Sequence, residues 1–213
     1  MTVTIGGVPV RTAVVGAGAI GGSFAAHLLA GGWDPLLVDA DADHVAAINA
    51  RGLHVEGSGV DLRVAARATT PDGLSEHLDL VFLCVKSQHT AAAMDAVRPW
   101  LTDDGYVVSI QNGLNLDAIV ERVGPDRVIA GFVNWAADYL SPGRIHFGGL
   151  SHFVLGEWDG TMSDRLVALG AALEPAFPAV LTQDILGYLW SKQVSIAAMF
   201  SSGVSHRSIP EAF

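Results

Sequence analysis

Gly16-Ala17-Gly18-Ala19-Ile20-Gly21 sits between the β-prone tetrapeptide Thr12-Ala13-Val14-Val15 and the apolar run Phe24-Ala25-Ala26-His27-Leu28-Leu29, which Gly31-Gly32 ends. A strand, a glycine turn and a helix in that order fit the pattern G-x-G-x-x-G. Gly16 then permits a tight turn, Gly18 lets a diphosphate approach the backbone, and Gly21 lets the helix pack close to the sheet. The first helical turn, with Ala19 and Ile20, offers free N–H groups and the positive end of the helix dipole to phosphate oxygens.

Beyond the helix, Leu36-Leu37-Val38 reads as a second strand ending at Asp39. A carboxylate at that place accepts hydrogen bonds from the hydroxyls of an adenosine ribose. A 2′-phosphate would meet like charge there. No Arg or Lys lies between Asp39 and Asn49 to offset Asp39, Asp41 and Asp43. The expectation is NAD rather than NADP; the plainer alternative is a solvated loop acid.

Strands and helices go on alternating, the signature of an α/β chain with a doubly wound parallel sheet covered on both faces. Leu53 to Ala65 reads as a hairpin around Gly57-Ser58-Gly59, and Leu78 to Val85 as a buried strand. Gln88 to Val97 reads as a helix, Tyr106 to Ile110 as a strand, and Asn115 to Val123 as a helix. Strands are expected over Arg127 to Ala137 and Gly143 to Phe147, with Phe153 to Gly156 pairing nearby. A helix over Met162 to Leu173 follows, and then a strongly apolar one from Asp184 to Ser201. An apolar helix of that kind needs cover. This places a nucleotide-binding domain over 1–180 and the first helices of a second, helical domain over 181–213. It implies that the chain is truncated or that the helix is buried against another copy in a homodimer.

The 213 residues are 50% hydrophobic and 16% charged, with a net charge of −10 and no basic run, which excludes nucleic acid and anionic membrane surfaces as partners. Ala13 to Trp33 carries no formal charge, but glycines interrupt it and a strand, turn and helix account for it better than a membrane span. The single cysteine, Cys84, lies within an apolar strand, and residues 1–10 show no signal-peptide pattern. A cytoplasmic location is expected. His146, His152 and His206 lack metal-ligand spacing, so no metal is expected, and no G-x-S-x-G points to a hydrolase.

Gly16 to Gly22, Val85-Lys86-Ser87-Gln88, Ile110-Gln111-Asn112-Gly113-Leu114, the segment Gly131 to Gly143, and Leu189-Trp190-Ser191-Lys192 together resemble the ketopantoate reductase family. The resemblance implies a Rossmann-like first domain that binds NAD(P)H and a helical second domain that closes over substrate. It also implies reduction of 2-dehydropantoate to pantoate on the way to pantothenate. Lys192 would then be the catalytic general acid, with Lys86 and Asn112 lining the cleft between nicotinamide ribose and substrate. Each also has a plain structural reading: a snorkelling helix lysine, a strand-end charge, a turn residue.

Independently of the family, ten of the 12 cationic residues are Arg, and the two lysines are Lys86 and Lys192. Lysine can release its proton at accessible pH once desolvated, and guanidinium cannot. Ile196 and Phe200 stand one and two turns after Lys192, where family members commonly carry asparagines; Ala40 stands where many carry an arginine. The first departure favours a more apolar 2-oxo acid or ketone, and the second agrees with NAD. A non-catalytic NAD-binding sensor or partner subunit is the rival from outside enzymology.

Overall fold

The computed structural model of the chain describes residues 3–149 and 152–202. Residues 203–213, with His206 and the last part of the expected 181–213 unit, lie outside the described residues. A small hairpin of β1 (Thr4–Ile5) and β2 (Val8–Pro9) precedes β3 (Thr12–Val15), α1 (Ala19–Ala30), β4 (Leu36–Val38) and α2 (Ala42–Arg51). The hairpin β5 (Leu53–Gly57) and β6 (Val60–Val64) leads to β7 (Arg67–Thr69), β8 (Leu78–Leu83) and α3 (Thr90–Val97). Then come β9 (Leu101–Ser109), α4 (Leu116–Val123), β10 (Val128–Asn134), β11 (Ala137–Ser141) and β12 (Arg144–Phe147). The last elements are β13 (His152–Glu157), α5 (Asp164–Leu173), β14 (Val180–Leu181) and α6 (Ile185–Ser202).

Eight strands make one sheet in the order β14-β13-β10-β9-β8-β3-β4-β7. The six from β7 to β10 are parallel, β13 runs antiparallel to β10, and β14 is parallel to β13. The chain winds outward from β3 through β4 to β7, then returns to β8 and winds the other way to β10. That is the Rossmann order, and its reversal between β3 and β8 opens a crevice at the carboxyl ends of those strands.

The strands are apolar on both sides because both sides are covered. Alternation sends Val14, Phe82, Val108 and Ile129 to one face, with α1 and α5, and Val15, Leu83, Val107 and Ala130 to the other, with α3 and α4. On the first face Phe24 lies 4.9 Å from Phe82 and 4.8 Å from Phe177, ring centre to ring centre. Each fully buried side chain of this size contributes roughly 1.5–3 kcal/mol.

A second sheet, β11-β12-β5-β6, lies over the outer side of α1. This is why α1 is apolar all round, with seven of its twelve residues buried. Gly22 allows the approach: a Cβ there would collide with Ile145 of β12 and the Ala17 carbonyl.

The expected hairpin turns through Ser58 (φ +43°) and Gly59 (φ +81°), the mirror-image turn that suits strand twist. The strand expected over 127–137 is two strands in different sheets. It breaks at Trp135, whose ring stacks on Phe24 at 6.3 Å and whose N–H donates to Ser23 Oγ at 3.2 Å. The helix expected from Gln88 begins at Thr90, after a 3-10 turn over Ser87–His89. In α6, Ile185 and Leu189 are buried against the sheet, while Trp190, Val194 and Phe200 are exposed. Among the described residues no helix is long and apolar enough to cross a membrane.

Candidate functional site

The glycine turn follows β3 at the crevice. Gly16 has φ +90°, and a Cβ there would sit 2.8 Å from the backbone nitrogen of Val85. Its own N–H donates to the Val38 carbonyl at 2.7 Å, tying the turn to β4. A Cβ on Gly21 would overlap the Gly16 carbonyl and come 2.8 Å from Cys84 Cβ, so this glycine sets the fit of helix on strand. Gly18 differs: a Cβ there would meet nothing within 4 Å. It is the N-cap of α1 and no side chain caps it. The first N–H groups of the helix therefore lack a capping oxygen and adjoin open space.

That space is a cleft of about 690 Å³ running from Gly16, Gly18, Ala19, Ile20 and Gly21 past Asp39 to Lys86 and the alanine face of α3. Uncapped amides, a glycine where a side chain would intrude, and a carboxylate beyond them suit a diphosphate joined to a ribose.

Asp39 follows the last residue of β4. Its N–H donates to Thr69 O at 3.1 Å, and its Oδ1 accepts from Asp41 N–H at 2.9 Å. Asp41 caps α2: Oδ1 accepts from Asp43 N–H (3.0 Å) and His44 N–H (3.1 Å), and Oδ2 accepts from the Tyr139 hydroxyl (3.3 Å). These bonds hold its carboxyl below the usual carboxylate range. Burial and the nearby aspartates push Tyr139 up to about 12. Among the described residues no cation forms an ion pair with Asp39, Asp41 or Asp43.

Lys86, at the end of β8, is exposed on the cleft wall. Asn112 is exposed beyond β9, and its carbonyl accepts from Asn115 Nδ2 at 3.0 Å. It does not itself line the cleft. Gly113 (φ +104°) brings that turn against Ser87: a Cβ on it would lie 3.5 Å from Ser87 Oγ. Lys192 of α6 reaches the end of β10, where Nζ donates to Val133 O at 2.6 Å and lies 4.5 Å from the centre of the Phe132 ring. Burial pushes its ammonium down to about 8.

Register relates these groups. Val15, Leu83, Ser109 and Ala130 form the last row paired across β3, β8, β9 and β10. Three residues further along from each of these stand Gly18, Lys86, Asn112 and Val133. The glycine turn, both lysines and the asparagine are thus delivered to one edge of one sheet.

Sequence reasoning passed over Gln111. It is buried, and its Nε2 donates to Val85 O (2.7 Å) and Thr90 Oγ1 (2.8 Å), while Oε1 accepts from Ser109 Oγ at 3.3 Å. One amide thus fastens the ends of β8 and β9 to the start of α3, next to Lys86 and Asn112. A glutamine between an apolar strand and an Asn-Gly turn was the available signal. Cys84 lies in the cleft wall, where burial holds its thiol above the ordinary range. Among the described residues no group of three His, Cys, Asp or Glu side chains could hold a metal ion.

The family model described as ketopantoate reductase PanE/ApbA matches residues 12–160. The chain is 32% identical over 204 residues to a 2-dehydropantoate 2-reductase of Mesorhizobium japonicum, covering 85% of this chain and 63% of that protein. It is 32% identical over 190 residues to one of Pyrococcus abyssi, covering 87% and 61%. The crystal structure of a PanE/ApbA family ketopantoate reductase from Ralstonia eutropha superposes with a TM-score of 0.79 at 30% identity, over 88% of this chain and 61% of that one. The chain thus spans a little over 60% of the length of these two curated relatives.

Proposed function

Because the chain belongs to the ketopantoate reductase PanE/ApbA family, we propose that it carries the nucleotide-binding unit of an NAD(P)H-dependent reductase of 2-oxo acids. Its substrate is 2-dehydropantoate or a close analogue. The observation that carries the reading is Lys192: a lysine desolvated to about 8 at the sheet edge that also bears the glycine turn.

A reduced nicotinamide, when bound, would supply hydride to the carbonyl carbon. The chain's residues do the rest. The amides at Gly18, Ala19 and Ile20 hold the diphosphate, and Asp39 accepts from ribose hydroxyls. Lys192, charged near neutral pH, stabilises the negative charge that gathers on the carbonyl oxygen and gives up a proton from Nζ. Lys86 attracts an anionic substrate against a net charge of −10, and Asn112, on the turn beside Ser87 and outside the cleft wall, orients the ribose or substrate that reaches past Lys86. In this reading α6, from Ile185, is the first helix of the unit over 181–213, Leu181 itself still being paired in the sheet.

Within the nicotinamide cofactors the reading is NADH. Asp39 and Asp41 put two carboxylates at the ribose end, Ala40 between them adds no cation, and the bonds to Asp41 keep it charged. Titration with both cofactors tests this, and tighter binding of NADPH refutes it.

A second reading of the substrate rests on Ile196 and Phe200, one and two turns beyond Lys192. An apolar wall there suits a bulkier, less hydroxylated ketone or 2-oxo acid. NADH consumption with 2-dehydropantoate and with branched or aromatic 2-oxo acids decides between them. No consumption with any of these, alongside tight NADH binding, favours the sensor.

A further inference from the structure

His44, in the first turn of α2, is 1% exposed and uses both ring nitrogens. The backbone N–H of Gly143 lies 3.0 Å from Nδ1, and Nε2 lies 2.9 Å from the carbonyl oxygen of Ala17. A backbone N–H can only donate and a carbonyl can only accept. Nδ1 is therefore the acceptor, and the ring carries its proton on Nε2 and donates to Ala17. The two partners belong to different parts of the fold. Ala17, fully buried, is the residue between Gly16 and Gly18. Gly143 (φ +78°) closes the turn between β11 and β12 of the second sheet. Tyr139, from the same hairpin, packs edge-on against the ring at 5.1 Å.

A trans peptide unit points its C=O and its N–H in opposite directions. Holding the Ala17 carbonyl toward His44 turns the N–H of Gly18 the other way, and Gly18 lines the cleft. We infer that His44 is a positioning residue for the diphosphate cradle, fixing the Ala17–Gly18 peptide so that its N–H faces the ligand and referring that setting to the second sheet through Gly143. The imidazole touches no ligand itself. This inference rests on the dinucleotide reading of the cleft.

Calorimetric titration of wild type, His44→Phe and His44→Gln with ADP-ribose and with adenosine tests it. Phenylalanine keeps the ring volume without donor or acceptor. It is expected to weaken ADP-ribose about tenfold, the scale of one hydrogen bond, and to leave adenosine unchanged. Glutamine, whose amide can donate to Ala17 O, is expected to restore most of the loss. Equal ADP-ribose affinity in wild type and His44→Phe overturns the inference alone, whereas a wild type that binds no ADP-ribose overturns the dinucleotide reading with it. Should His44→Phe not fold, nitrogen-resolved NMR of the wild-type ring serves instead. An Nε2 proton protected from exchange, and protected further by ADP-ribose, is expected. A proton on Nδ1, or an Nε2 proton indifferent to ADP-ribose, overturns the inference.

Discussion

The Lys192 ammonium donates to the carbonyl oxygen of Val133 at 2.6 Å, three residues beyond the last row that pairs β10 with β9. A cation placed there loses hydration and gains one carbonyl and the face of Phe132, which leaves its charged form disfavoured relative to a lysine in water.

Lys192 should therefore make stability rise with pH between about 8 and 10.5. Burial lowers Lys192 from 10.5 to about 8, so between those values the unfolded chain still holds a proton that the folded chain has released. Below pH 8 both forms are protonated and the full burial penalty applies. Urea unfolding at pH 7 and pH 10 should show the increase, and Lys192→Met should flatten it. If Lys192 is the acid, reduction of a 2-oxo acid should fall above pH 8, and Lys192→Met should lower its rate about 10²–10⁴-fold.

Gly18 and Gly21 should separate binding from folding. Gly18→Ala meets no atom within 4 Å, so its melting temperature should stay near wild type, while NADH affinity should fall because the new methyl would stand where the proposed diphosphate approaches. Gly21→Ala drives a methyl into the Gly16 carbonyl, a backbone atom that cannot rotate away. It should cost about 1–3 kcal/mol in denaturant titration. A Gly18→Ala protein that binds NADH as well as wild type would remove the diphosphate from this turn.

Asp39→Asn should weaken NADH roughly ten- to a hundredfold, the scale of a hydrogen bond to a charged group, and should narrow discrimination against NADPH. Fluorescence titration with each cofactor reads both effects. An unchanged NADH affinity would make Asp39 a loop acid held by Asp41 N–H and nothing more.

Gln111→Leu leaves Val85 O and Thr90 Oγ1 without their shared donor. Thermal unfolding should show a loss of about 1–3 kcal/mol for each buried group left unpaired. Hydrogen exchange should quicken in the 3-10 turn Ser87–His89, which follows Val85 and Lys86.

The most legible parts of this protein were those written in contiguous residues. Strand, glycine turn and helix over Thr12–Ala30 each need special residues at fixed spacing, as does the β5–β6 turn at Ser58-Gly59. Illegible parts are defined by partners far along the chain. β7 has three residues and β14 two, and each is a strand only because β4 or β13 pairs with it. The break at Trp135 follows from packing on Phe24. Membership of α6 showed that Lys192 was a helix residue but not that a carbonyl of β10 would accept its hydrogen bond. Gln111 and His44 went unread for the same reason, since a buried amide and a buried imidazole declare themselves only through their partners.

The shared three-residue step past the paired row makes the sheet a ruler. Gly18 follows β3 and Val133 lies in β10, strands three intervals apart, a pitch set by backbone hydrogen bonding at roughly 14 Å in all. Loops along that edge can lengthen or shorten without altering it. A molecule that engages both the turn at Gly18 and the ammonium of Lys192 has strands β3 to β10 to cross, a demand that an extended ligand meets and a compact one does not.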